Sequence, residues 1–128
     1  MPNRVAPFLM FVGVAEQAMN RYVSLFKGSA ITRVERWPPG EGQGIKRGEF
    51  RLGGREFLCF DSPIEHEFTF TPSLSIWVDC EDEAELQAAY TELCTGGQVL
   101  MPLDNYGFST RFGWVNDSFG VSWQLNLE

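Results

Sequence analysis

The chain has 128 residues, 44% hydrophobic and 14% aromatic, which suits one domain with a packed core and is too apolar for a disordered one. Ten basic residues against seventeen acidic ones leave a net charge of −7, a field that argues against nucleic-acid and membrane-surface partners. Cys59, Cys80 and Cys94 form no CxxC pair and point to reduced thiols in a cytoplasmic protein rather than a disulfide frame or zinc knuckle. No apolar run approaches the roughly 20 residues of a membrane span, and Phe8 to Val14 is too short for the core of a signal peptide.

Pro7 to Val12 is a short apolar run with two aromatics and reads as a buried strand. Ala15, Ala18, Met19, Tyr22 and Phe26 then recur at helical spacing, with Glu16, Gln17, Asn20 and Arg21 between them. Gly28 stands where a left-handed residue ends a helix. Ile31 to Arg36 follows as a strand. Pro38 to Gly44 holds no regular structure and reads as a mobile loop; with Trp37 it is either a lid over a ligand or a plain connector. Ile45 to Leu52 and Arg55 to Asp61 are strands flanking Gly53-Gly54, a hairpin signal because the favoured two-residue turns need positive φ. Arg47, Glu49 and Arg51 alternate with Phe50 and Leu52, as on a solvated outer face.

The second half repeats this order. Leu74, Ile76 and Val78 alternate with Ser75 and Trp77 as in a half-buried strand. Asp79 to Glu85 is acidic, which suits a helix N-terminus, and Leu86, Ala89, Tyr90 and Leu93 form the apolar stripe, ended by Gly96-Gly97. Val99 to Leu103, Phe108 to Val115 and Val121 to Leu127 are three further strands, with turns at Asp104-Asn105 and Asp117-Ser118. Gly28 and Gly96 lie 68 residues apart, Gly54 and Gly120 66 apart, so both halves read β-α-β-β-β with nearly equal spacing. The expected fold is α+β, a single domain over 1–128 with modules at about 5–62 and 72–128. Each module alone is too small to bury the free face of its sheet, so two modules, from one chain or two, should face one another.

The segment Pro7-Phe8-Leu9-Met10-Phe11 with Ala15-Glu16-Gln17-Ala18 and Tyr22 resembles the opening of PhnB-like, or 3-demethylubiquinone-9 3-methyltransferase-like, proteins. This group belongs to the vicinal oxygen chelate superfamily, with glyoxalase I and the bleomycin-resistance proteins. His66 to Phe70, Gly96-Gly97 with Met101-Pro102-Leu103, and Phe112 to Val115 leading through Asp117-Ser118-Phe119-Gly120 to Leu125 look like the same family. The resemblance implies paired βαβββ modules with curved mixed sheets, helices on the outer faces and a homodimer.

The superfamily's chemistry depends on a metal held by His and Glu on four strands. By the resemblance those positions fall on Pro7, Leu58, Ser73 and Gln124. Pro and Leu carry no donor, and a hydroxyl and a neutral amide are weak ligands for a divalent ion, so no metal is expected. The methyltransferase label needs a glycine-rich turn between a parallel strand and a helix. The glycine pairs here sit in a hairpin and after a helix, and Gly40 to Gly44 leads into a strand. No cofactor is therefore expected, and enzyme activity stays open.

His66, the single histidine, lies between Glu65 and Glu67. It is either a polar contact at a cavity mouth or a surface imidazole in a linker. With Cys59 it would make a nucleophile pair, although a thiol in an apolar strand is ordinarily inert. If Leu74, Ile76 and Val78 pack on the helix, then Ser73, Ser75 and Trp77 line a cavity between the sheets. Leu9, Phe11, Leu58, Phe60, Gln124 and Asn126 are expected to line it too. Aromatic walls with two amides and two hydroxyls suit a small apolar or aromatic molecule. The rival reading is an enzyme with a metal displaced to His66 and Glu65 or Glu67; a third is a structural dimer with no ligand.

Overall fold

A computed structural model describes all residues, 1–128, and divides them into two compact units, Met1–His66 and Glu67–Glu128. The first unit runs β1 (Phe8–Phe11), α1 (Ala15–Leu25), β2 (Ala30–Arg36), β3 (Ile45–Leu52) and β4 (Arg55–Asp61). The second runs β5 (Ser75–Asp79), α2 (Glu83–Cys94), β6 (Gln98–Asp104), β7 (Arg111–Asn116) and β8 (Ser122–Leu127). The sheets have the orders β1-β4-β3-β2 and β5-β8-β7-β6, with β1/β4 and β5/β8 parallel and the remaining pairs antiparallel. The expected α+β fold and its duplicated half are both present.

In the first unit α1 turns Ala15, Ala18, Met19 and Tyr22 onto the sheet, where they are buried. The approach is close enough to favour glycine at position 48. A Cβ there would lie 2.7 Å from Cys59 Sγ and 2.9 Å from the Met19 thioether. The second unit repeats the device: a Cβ on Gly113 would lie 2.9 Å from Leu103 and 3.1 Å from the Tyr90 ring. Phe50 stacks on Phe57 with centroids 5.2 Å apart, and Trp123, Leu125 and Val115 are fully buried beneath α2 with Leu86, Ala89 and Leu93.

Gly53 and Gly54 both take positive φ, as the hairpin requires. The segment from Pro38 to Gly44, expected to be mobile, is pinned. Trp37 N donates to Gly44 O at 3.0 Å, Glu41 N to Pro38 O at 3.0 Å, and the Trp37 indole N–H to Asp61 O at 2.8 Å. Gly42 lies against the Trp37 ring and Gly44 against the Asp61 carboxylate. Four strands start later than expected, β1, β5 and β8 by one residue and β7 by three. Leu74 N donates to Thr71 O and closes a turn, so Leu74 is 78% exposed and β5 begins at Ser75. The Asn105 side chain accepts from Gly107 N at 2.8 Å and holds a turn that keeps Phe108 out of β7.

Asp61, 1% exposed, ties the first unit together. Oδ1 accepts from Ala15 N at 2.9 Å, at the start of α1, and Oδ2 from Ile45 N at 2.8 Å, at the start of β3. Asp61→Asn keeps the shape but turns an N–H₂ toward one of these two amides. The expected loss, read by urea denaturation, is about 2–3 kcal/mol, the range for a buried charge-assisted hydrogen bond left unmade; a change below about 0.5 kcal/mol would remove Asp61 from this role.

Cys59 and Cys80 are buried, and burial first, with the negative charges of Asp61 and Glu85 respectively, pushes each thiol up to about 12. Cys94 is only half-buried. Ellman's reagent at pH 8 is expected to titrate one thiol in the folded protein and all three after unfolding. Because free thiols ionise near 8.5, the unfolded state releases protons that the folded state keeps, so stability should fall as pH rises from about 8.5 toward 12.

Candidate functional site

Each sheet has one face under its helix and one helix-free face. In the second unit the ladder pairs Ser75 with Ser122, Trp77 with Gln124 and Asp79 with Asn126 along β5/β8. It pairs Asn126 with Phe112, Gln124 with Trp114 and Ser122 with Asn116 along β8/β7. These residues share the helix-free face, since their neighbours Ile76, Val78, Trp123, Leu125, Gly113 and Val115 take the other. A neutral network connects Ser75, Ser122, Trp114 and Gln124. Ser75 Oγ and Ser122 Oγ are 2.6 Å apart, the Trp114 indole N–H donates to Ser122 Oγ at 2.8 Å, and Gln124 Nε2 donates to Ser75 Oγ at 3.1 Å. Asn126 Nδ2 donates to Asp79 Oδ1 at 3.0 Å.

Beside this network lies an aromatic group. Trp77, 50% exposed, tilts against Phe112 at 5.8 Å, and Phe108 and Tyr106 meet Phe112 edge-on at 5.0 and 6.1 Å. An open groove of about 490 Å³, lined by Asn105, Gly107, Phe108, Ser109, Thr110 and Glu128, touches this group only through Phe108.

In the first unit the parallel register sets Phe8 beside Leu58 and Met10 beside Phe60, and Phe8 stacks on Phe60 at 5.0 Å. Leu58 and Phe60 are therefore on the helix-free face as expected. Leu9 and Phe11 are not: they pair with Cys59 and Asp61 and are buried on the helix side. Asp61 must reach the first amide of α1, and this fixes the parity of β4 and, through the register, of β1.

Arg47 and Glu49, expected on an outer face, share the helix-free face with Leu58, which is the cross-strand partner of Glu49. Glu49 is approached by Arg4 at 3.1 Å, Arg33 at 3.2 Å and Arg47 at 3.2 Å. Burial pushes the Glu49 carboxyl up, but hydrogen bonds from Arg4 and Arg33 and the charges of Arg4 and Arg47 outweigh it and hold it below its ordinary value.

Of the other expected site residues, Ser75, Trp77, Gln124 and Asn126 are brought together. Ser73 is not: it lies in the turn before β5, its hydroxyl 2.7 Å from that of Thr71, and Ser75 holds the place beside Gln124. His66 Nε2 lies 3.4 Å from Ser62 Oγ at the end of the first unit. Phe112, Trp114, Ser122, Phe8 and Met10 were missed. The signal for the first three was the alternation of Phe112 and Trp114 about Gly113 and of Ser122 and Gln124 about Trp123.

A metal ion does not fit the residues present. Pro7 and Leu58 carry no donor, and Gln124 and Ser75 are already bonded to each other. Nowhere do three His, Cys, Asp or Glu side chains converge to hold one, the surroundings of His66, Glu65 and Glu67 included. A nucleotide-like cofactor bound by glycines at a helix N-terminus does not fit either. The first amide of α1 is taken by Asp61, and Asp82 caps α2 by accepting from Glu85 N at 2.9 Å. No helix is long and apolar enough to cross a membrane.

A family model described as 3-demethylubiquinone-9 3-methyltransferase matches residues 3–126. The chain is similar to the PhnB protein from Bacillus cereus, with 47% identity, a TM-score of 0.94, and 98% of this chain and 100% of that chain covered. A protein from Pseudomonas aeruginosa shares the fold at 23% identity and a TM-score of 0.85, covering 99% and 98%. The fosfomycin resistance protein FosX from Listeria monocytogenes shares it at 9% identity and a TM-score of 0.63, covering 100% and 94%. No curated protein matches the chain. With the duplicated βαβββ order in place and a match over nearly its whole length, the chain belongs to the PhnB-like, 3-demethylubiquinone-9 3-methyltransferase family.

Proposed function

We propose that this protein is a metal-free binder of a small apolar or aromatic molecule, held on the helix-free sheet faces, and that it works as a homodimer. The observation that carries the reading is the composition of the second unit's face. There, half-exposed Trp77 and the rings around Phe112 adjoin the neutral, hydrogen-bonded group of Ser75, Ser122, Trp114 and Gln124, with the Asp79 carboxylate held by Asn126 at its edge. Aromatic faces give a flat ligand contact area, and a few fixed polar groups orient it. A hydroxyl and a neutral amide stand where a divalent ion would need imidazole and carboxylate, which supports binding over the metal-assisted chemistry the superfamily name suggests.

Titration with a panel of flat aromatic compounds, followed by Trp fluorescence, is expected to give saturable binding with the same affinity before and after EDTA treatment. Trp77→Ala should weaken it by about tenfold, the weight of one aromatic contact of 1–1.5 kcal/mol. Loss of binding with chelator would overturn the metal-free reading, and an unaltered affinity in the variant would remove Trp77 from the site.

The homodimer is supported by apolar side chains left exposed within one chain, among them Phe8 at 58% on a helix-free face. Sedimentation is expected to give twice the chain mass, and the melting temperature should rise with protein concentration. A monomer at all concentrations would sink the proposal.

A further inference from the structure

We propose that the helix-free face of the first unit carries an anion subsite, built by Arg4, Arg33 and Arg47 around Glu49, that selects small organic acids whose apolar part lies on Phe8 and Leu58. It rests on the reading above, that these faces bind small apolar molecules, and adds the ligand's charge. Three guanidiniums converge on one carboxylate whose side chain is only 16% exposed. Glu35 pairs with Arg33 as well, at 3.1 Å, so the cluster holds three positive and two negative charges in a chain of net −7.

Arg47 Nε lies 3.2 Å from Glu49 Oε2 without hydrogen-bonding it, so the fork of Arg47, with its two terminal N–H₂ groups, is not tied to the carboxylate as those of Arg4 and Arg33 are. Those two N–H₂ groups match a carboxylate in bidentate geometry. The guanidiniums also repel one another across Glu49, and a second anion relieves that repulsion. A purely stabilising arrangement would pair charges one to one, as Arg51 does with Glu56 on the same sheet.

The neighbouring surface sets the rest of the ligand. Leu58 stands opposite Glu49 in the ladder and Phe8 opposite Leu58, with Phe8 stacked on Phe60. A bare inorganic anion leaves these groups uncovered, whereas a flat acid uses both halves of the face.

The test is calorimetric titration with 1-naphthoate and its neutral isostere 1-naphthamide at low and high salt. Naphthoate is expected to bind about tenfold tighter at low salt, with the advantage shrinking at 0.3 M NaCl. Arg47→Gln, and independently Arg4→Gln, should abolish the preference without altering naphthamide binding, whereas Arg51→Gln should leave it intact. Equal affinities for acid and amide would overturn the anion subsite and leave the small-molecule reading standing. Binding of neither would overturn that reading and this one with it.

Discussion

Each half of the chain is organised by one buried carboxylate. Desolvating an ionised side chain is costly unless its oxygens are taken up by donors, and both halves meet that condition with backbone amides. Asp61 joins the start of α1 to the start of β3 and, through its own carbonyl, holds the Trp37 indole. Asp117 accepts from Phe119 N at 2.8 Å and Val121 N at 3.0 Å, and from the fully buried Trp123 indole at 2.9 Å. The two are not copies of each other. Asp117 shapes the β7–β8 connection, whose counterpart in the first unit is the Gly53-Gly54 hairpin. One half reaches the turn with two positive-φ glycines and the other with a side-chain acceptor and Gly120 at φ 92°. Equal topology does not require equal local chemistry.

The Asp61 tie also decides which residues are available to a ligand. Once Asp61 points at the helix, Cys59 and Phe57 follow it and Leu58 and Phe60 take the opposite face, because strand side chains alternate. Parallel pairing passes the same parity to β1, where it selects Phe8 and Met10. A residue on β1 therefore owes its face to a hydrogen bond made from the end of β4, some fifty positions along the chain.

That distance explains what was legible in the sequence. The elements and the duplication could be read locally, from the helical stripe Ala15–Ala18–Met19–Tyr22, the glycine hairpin and the even spacing of the halves. On β5 and β8 the parity was legible too, since Ser75, Trp77 and Gln124 alternate with strongly apolar neighbours. On β1 every residue from Phe8 to Phe11 is apolar, so alternation carried no information and the tie to Asp61 had to supply it. The loop after Trp37 misled for a related reason. Proline and glycine indicate irregular backbone, but not whether it is held, and here the holding comes from Trp37 and Asp61. The Arg–Glu cluster looked like ordinary surface charge because Arg4, Arg33, Arg47 and Glu49 come together only across three segments.

The family name describes a methyl transfer, and the resemblance to the vicinal oxygen chelate superfamily implies metal chemistry, but the residues on these faces have other capacities. Where a divalent ion would need carboxylates and imidazoles, the second unit offers a hydrogen-bonded serine–glutamine–indole network. At both helix N-termini, the usual docking points for anionic cofactor groups, one of the chain's own aspartates already takes an amide. Charge is concentrated instead on the first unit, in arginines clustered around one shielded glutamate. The duplication thus carries two different surfaces on one topology, one aromatic beside hydroxyls and amides, the other rich in guanidiniums beside phenyl rings. Such a pair is better suited to recognising a molecule by its shape and charge than to polarising a bond within it.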